Sequence, residues 1–112
     1  MIDWHRVEQL KGEIGADDFA EVVVLFLDEV DGVIARLDTR TDTVNLGDDL
    51  HFLKGSALNL GFRDFARLCQ DGEHTAKTAP VEMSFLRRVI DCYGHSRAAF
   101  LTGVNAPTKR SA

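Results

Sequence analysis

Apolar residues recur along most of this chain at spacings of three and four, the period of helices buried along one side. The clearest run is Leu46, Leu50, Leu53, Ala57 and Leu60, a single seam on one helix that Gly61 should stop with a left-handed cap. Ile2, Val7, Leu10 and Ile14 mark a shorter first helix, with Asp3 near its start and Gly12 and Gly15 at its end. Asp17 is suited to cap a second segment, Asp18 to about Thr39. Its broad stripe comprises Phe19, Val22, Val23, Phe26, Val30, Val33, Ile34 and Leu37. The block from Val22 to Leu27 taken alone also fits a buried strand. A helix is preferred because the period continues for several more turns and no partner strand occurs elsewhere.

Beyond Gly61, Asp64 opens a helix that turns Phe65, Leu68, Cys69, Gly72, Ala76 and Ala79 inward and stops before Pro80. Pro80 suits the first turn of a last helix, about Val81 to Val104, which buries Phe85, Leu86, Val89, Ile90, Tyr93, Phe100 and Leu101. Thr39 to Asn45 reads as a polar connection. Short connections between long helices favour antiparallel neighbours. The pattern therefore predicts an all-α fold, an up-and-down antiparallel four-helix bundle with a short extra N-terminal helix. It occupies residues 1–104, and residues 105–112 form a polar tail expected to fray.

Composition narrows the class. At 112 residues, 45% hydrophobic and 28% charged, the chain has the size and make-up of one ordinary globular domain. A formal net charge of −5 argues against nucleic acid as a partner, because phosphate backbones select basic stripes. No apolar run is long enough to span a membrane, and no leader pattern opens the chain, so the expectation is a cytoplasmic protein. Cys69 and Cys92 fall in apolar helical patterns and read as reduced core residues.

The candidate chemistry lies on the face of the Leu46–Leu60 helix away from its seam. Lys54 and Gly55 follow His51 by three and four residues and so share its surface, one turn on. A histidine can carry a covalent phosphoryl group, and with an unperturbed pKa of about 6.5 much of it is neutral and nucleophilic near pH 7. Lys54 would hold the phosphoryl oxygens as a flexible point charge. Gly55 costs the helix about 1 kcal/mol relative to alanine and offers room for another protein to approach.

The string His51-Phe52-Leu53-Lys54-Gly55-Ser56, with Asn59, Gly61 and then Leu68-Cys69, resembles the signature of histidine phosphotransfer (HPt) domains. The resemblance runs from about Leu50 to Glu73. It implies a monomeric helical bundle whose histidine, here His51, exchanges a phosphoryl group with aspartates of response-regulator receiver domains or of a hybrid histidine kinase. It implies no cofactor, no metal and no ATP-binding kinase domain of its own; the receiver supplies the metal ion. Gly72 departs from the pattern, since the family usually has leucine there, and this change either loosens local packing or lets helices approach more closely.

Two further expectations come from geometry. His51 and Glu73 lie equally far from Phe62 along the chain, so a hairpin pivoting there brings them face to face. A carboxylate at that place would fix the imidazole tautomer and leave the other nitrogen free to attack. The docking surface is expected to comprise Gly55, Ser56, Leu58 and Asn59, with Val7 and Leu10 if the first helix lies over that end. His5, His74 and His95 read as ordinary solvated histidines. A di-metal carboxylate bundle is disfavoured because it needs Glu-x-x-His pairs, and Glu73-His74 are adjacent while Cys92 stands three residues before His95. The remaining alternative is a helical adaptor without phosphoryl chemistry.

Overall fold

A computed structural model describes residues 2–38 and 45–104. The expected connection at 39–44 and the tail at 105–112 lie outside the described residues. The helices are α1 (Trp4–Ile14), α2 (Ala16–Asp38), α3 (Leu46–Leu60), α4 (Arg63–Ala76) and α5 (Met83–Val104). The last four form the antiparallel bundle, with α1 laid over one end, and the molecule as a whole extends 46 × 21 × 21 Å. The expected fold class is the observed one.

The leucine seam of α3 explains where the core sits. Leu46, Leu50, Leu53, Ala57 and Leu60 are all buried, as are Phe19, Val23, Val30, Val33 and Leu37 from α2. Phe65 and Cys69 from α4 and Leu86, Val89, Tyr93 and Phe100 from α5 complete the core. The α2 stripe is narrower than its apolar composition suggests. Val22, Phe26 and Ile34 are only half-buried, Leu27 is buried, and Val24 and Leu25 face solvent at 55% and 58% exposure. A continuous apolar run marks a helix here without marking its inner face.

Several expected boundaries shift for local reasons. α2 begins at Ala16, so Asp17 belongs to its first turn and does not cap it; the carbonyl of Gly15 accepts from the N–H groups of Asp18 and Phe19. Gly12 lies within α1, and the break comes at Gly15 with φ 102°. α4 stops at Ala76, where Lys77, Thr78 and Ala79 turn back to carbonyls three or four residues earlier, and Ala79 is exposed. α5 starts after Glu82, whose carbonyl accepts from Phe85 and Leu86, so Pro80 precedes the helix and is not part of its first turn.

The α3–α4 turn is closely packed. Gly61 adopts φ 79°, and its N–H bonds back to the carbonyl of Ala57. A Cβ there would lie 2.7 Å from the carbonyl oxygen of Asp3. Asp3 donates its own N–H to the carbonyl of Gly61 at 2.7 Å, and Ile2 bridges Phe62, so the segment leading into α1 is fastened to this turn. Trp4 stacks on Phe100 and covers Gly103, where any Cβ would overlap the indole. The Asp31 carboxylate of α2 accepts from the Tyr93 hydroxyl and from the Arg97 guanidinium, tying α2 to α5.

Gly72 also has a packing role. A Cβ on it would meet Phe85 Cε2 at 2.7 Å and Leu50 Cδ1 at 3.0 Å. Of the two readings of that glycine, the structure takes the closer helix approach: the Phe85 ring of α5 occupies the space that a leucine at position 72 would need.

Candidate functional site

α3 carries its seam inward, which turns the intervening residues outward. His51 is held on that outer surface with its side chain 68% exposed. The antiparallel α3–α4 hairpin brings Glu73 alongside, with Oε2 2.8 Å from His51 Nδ1. Lys54 approaches the same carboxylate from the next turn of α3, Nζ to Oε1 3.0 Å. His51, Lys54 and Glu73 thus form one cluster in which a single carboxylate is hydrogen-bonded to the imidazole and ion-paired with the ammonium.

The electrostatics of that cluster give the imidazole a direction. The Lys54 ammonium is the main cause that holds the Glu73 carboxyl below its ordinary range; partial burial opposes it, and His51 adds to the lowering. Glu73 is therefore ionised at neutral pH. An ionised carboxylate only accepts hydrogen bonds, so Nδ1 of His51 must be the donor. In the neutral ring, Nε2 then carries the free lone pair and points away from Glu73.

The ammonium of Lys54 is engaged differently from the sequence expectation. Its side chain is 25% exposed and paired with a carboxylate that is 19% exposed, so it acts on Glu73 and is not a free charge beside the ring. No signal in the sequence could have told a lysine that grips a phosphoryl group from one that grips a neighbouring glutamate.

The expected docking residues separate into two groups. Gly55 faces open space, with nothing within 4 Å of where a Cβ would stand, and Leu58 is 57% exposed. Phe52, unremarked in the sequence, adds an aromatic edge to the same outer surface at 37% exposure. Asn59 is exposed but its amide oxygen accepts from Arg6 of α1 at 3.3 Å. Ser56 is a correction: it turns with Ala57 toward the core and is buried. Val7 and Leu10 are likewise buried beneath α1 and offer nothing to a partner.

Two residues before His51, Asp49 is buried and pairs with Arg36 of α2 at 3.1 Å. This contact fixes the rotation of α3 against α2 just where the histidine emerges. His5, His74 and His95 are exposed. Cys69 and Cys92 are free thiols, and burial is the main cause that pushes the Cys69 thiol far above its ordinary value, which keeps it protonated. Among the described residues no helix is long and apolar enough to cross a membrane.

In the comparison with known families, the model for the Hpt domain matches residues 21–99, which is more than half of the chain and includes His51, Lys54 and Glu73. No curated protein and no solved structure matches the chain.

Proposed function

The chain belongs to the Hpt domain family, whose members are phosphorelay carriers of two-component signalling, and from that premise we propose that His51 is the residue that carries the phosphoryl group. The observation that supports this reading is the Glu73 Oε2 to His51 Nδ1 contact at 2.8 Å on a ring otherwise open to solvent. It leaves one nitrogen oriented and the other available.

The step follows from that geometry. The Nε2 lone pair attacks the phosphorus of a receiver's aspartyl phosphate; the nitrogen–phosphorus bond forms as the bond from phosphorus to the aspartyl oxygen breaks, and the aspartate leaves as a carboxylate. The Nδ1 proton stays in place. Positive charge developing on the ring is met by the Glu73 carboxylate, which Lys54 holds in position. Transfer onward to a second receiver is the same step reversed. Little else is required of this chain, because the receiver supplies the metal ion and the groups that neutralise the phosphoryl charge.

Gly55, Leu58 and Phe52 supply the surface on which a receiver settles. They combine an open backbone with modest apolar area, which suits a contact that must release in each cycle. The protein acts as a monomer in the cytoplasm, with receivers and a hybrid kinase as partners, and it consumes no ATP itself.

The test is labelling by a kinase and receiver mixture fed with labelled ATP. Acid-labile label should appear on the parent chain and be absent from His51→Gln, whose melting temperature should match the parent because the side chain is exposed. Label retained by His51→Gln overturns the assignment.

A further inference from the structure

The surroundings of His51 contain a second cation that the Lys54–Glu73 pair leaves unused. Lys77 follows Glu73 by four residues at the C-terminal end of α4, so it sits one turn along the same face. The hairpin sets it opposite Gly47, just as Glu73 is opposite His51. Gly47 has no side chain to fill the gap, and its Cβ position would approach only Ala76, at 3.9 Å. What results is a shallow cavity of about 220 Å³ whose wall includes His51, Glu73, Lys77 and Asp48. A water molecule in liquid occupies about 30 Å³, so there is ample space for a phosphoryl group.

Besides His51, the charged and titratable groups that line this cavity and the one adjoining it are Asp48 and Lys54 from α3, Asp71, Glu73 and His74 from α4, and Lys77 at the cap of α4. Lys54 is neutralised by its 3.0 Å contact with Glu73. Lys77 enters no ion pair among the described residues. It lines both the cavity that holds His51 and the larger one that holds Lys54, about 490 Å³, so it flanks the histidine on the side Lys54 does not.

The geometry points to Lys77, and not Lys54, as the cation that faces the phosphoryl group once it is on His51. This rests on the reading of His51 as the phosphorylated residue and deepens it: the two lysines divide the work. Lys54 positions Glu73, and through it the imidazole, while Lys77 neutralises oxygens of the group being carried. An ammonium on the four-carbon stem of lysine reaches such a group as a point charge without fixed geometry, so arginine should substitute. Asp48 on the opposite wall limits how much negative charge the cavity tolerates, which makes Lys77 the one group in that wall able to offset it.

The test uses the full chain phosphorylated chemically with phosphoramidate, so that no partner protein enters the measurement. The phosphorus NMR signal of the phosphohistidine is followed against pH in the parent, Lys77→Ala, Lys77→Arg and Lys54→Ala. A nearby cation favours the doubly ionised phosphoryl group, so Lys77→Ala should raise its apparent pKa by about half a unit, a size set by one exposed charge a few Å away. Lys77→Arg should restore the parent titration, and Lys54→Ala should instead move the ring nitrogen signals of His51. If Lys77→Ala titrates like the parent while Lys54→Ala shifts the phosphoryl group, the division of roles is overturned and the reading of His51 stands. If phosphoramidate labels the parent on some residue other than His51, both are overturned.

Discussion

Gly61 and Gly55 belong to the same helix and its cap, yet they lack side chains for opposite reasons. At Gly61 the space is filled: the carbonyl of Asp3 stands 2.7 Å from where a Cβ would be, and the backbone is left-handed. At Gly55 the space is empty to 4 Å. The same contrast runs through the molecule. Gly72 and Gly103, under Phe85 and Trp4, join Gly61 in the closed half of the glycines, whereas Gly47 and Gly55, which flank His51, make up the open half. In the first group the glycine permits contacts within the chain; in the second it leaves the surface beside the histidine open. Changes in the closed half should therefore alter stability and spare transfer, and changes in the open half should do the reverse.

The largest effect expected is at Gly61. Gly61→Ala must hold an L-residue in the left-handed region and displace the Asp3 carbonyl, at a cost of about 2 to 4 kcal/mol. That corresponds to a drop in melting temperature of about 10 °C or more for a domain of this size. Calorimetry reads it directly, and the phosphotransfer rate per folded molecule should equal the parent's. A variant that melts normally would show that the fastening of α1 to the turn is not as tight as the geometry indicates.

Gly72 comes next. Gly72→Leu, which introduces the residue expected there from the HPt resemblance, should destabilise by about 1 to 3 kcal/mol because it overlaps the Phe85 ring and Leu50. Adding Phe85→Ala vacates that space, so the double variant should be more stable than the sum of the two single changes by about 1 kcal/mol or more in a denaturant cycle. Additive effects would mean that Phe85 does not compensate for the missing leucine.

In the open half the direction reverses. Gly55→Gln should leave the protein as stable as the parent or up to about 1 kcal/mol more stable, because glutamine is the better helix former. Transfer from a receiver should slow by about tenfold or more, the equivalent of roughly 1.4 kcal/mol in the barrier. Unchanged transfer would remove Gly55 from the docking surface.

The smallest effect expected is on acid stability. Because the folded-state pKa of Glu73 is lowered, chiefly by Lys54, the carboxylate contributes stability that is present above its unfolded value of about 4.3 and is lost as pH falls through the lower folded value. Melting temperature followed downward from about pH 5 should therefore decline less steeply in Glu73→Gln than in the parent. Parallel curves would show that the half-buried Glu73–Lys54 pair makes no net contribution to folding.

Much of this contrast was legible in the sequence, for reasons that differ by region. The α3 seam could be read because alternating spacings of three and four allow only one buried face, and all five of its positions are buried. Glu73 could be set opposite His51 because a tight hairpin leaves no freedom in register. α2 was harder: with apolar residues in unbroken succession from Val22 to Leu27, only the neighbouring helices decide that Leu27 is covered and Val24 is not. The ties from Arg36 to Asp49 and from Asp31 to Tyr93 and Arg97 were illegible, since each depends on the rotation of one helix against another far away in sequence. Ser56, by contrast, could have been placed: it follows Leu53 by three and precedes Leu60 by four, which puts it on the buried seam, and motif membership says nothing about which side of the helix a small polar residue takes. The engagement of Lys54 was illegible, for a long flexible cation has several acceptors within reach until packing is known.

If Glu73 keeps hold of Nδ1 of His51 through the reaction, Nε2 is the reacting atom. The most direct measurement is the identity of the phosphorylated nitrogen, read from phosphorus–nitrogen correlated NMR on the labelled chain after transfer from a phosphorylated receiver. A single phosphohistidine should appear, on His51, with phosphorus bonded to Nε2. Phosphorus on Nδ1 of His51, or on His5, His74 or His95, would contradict it.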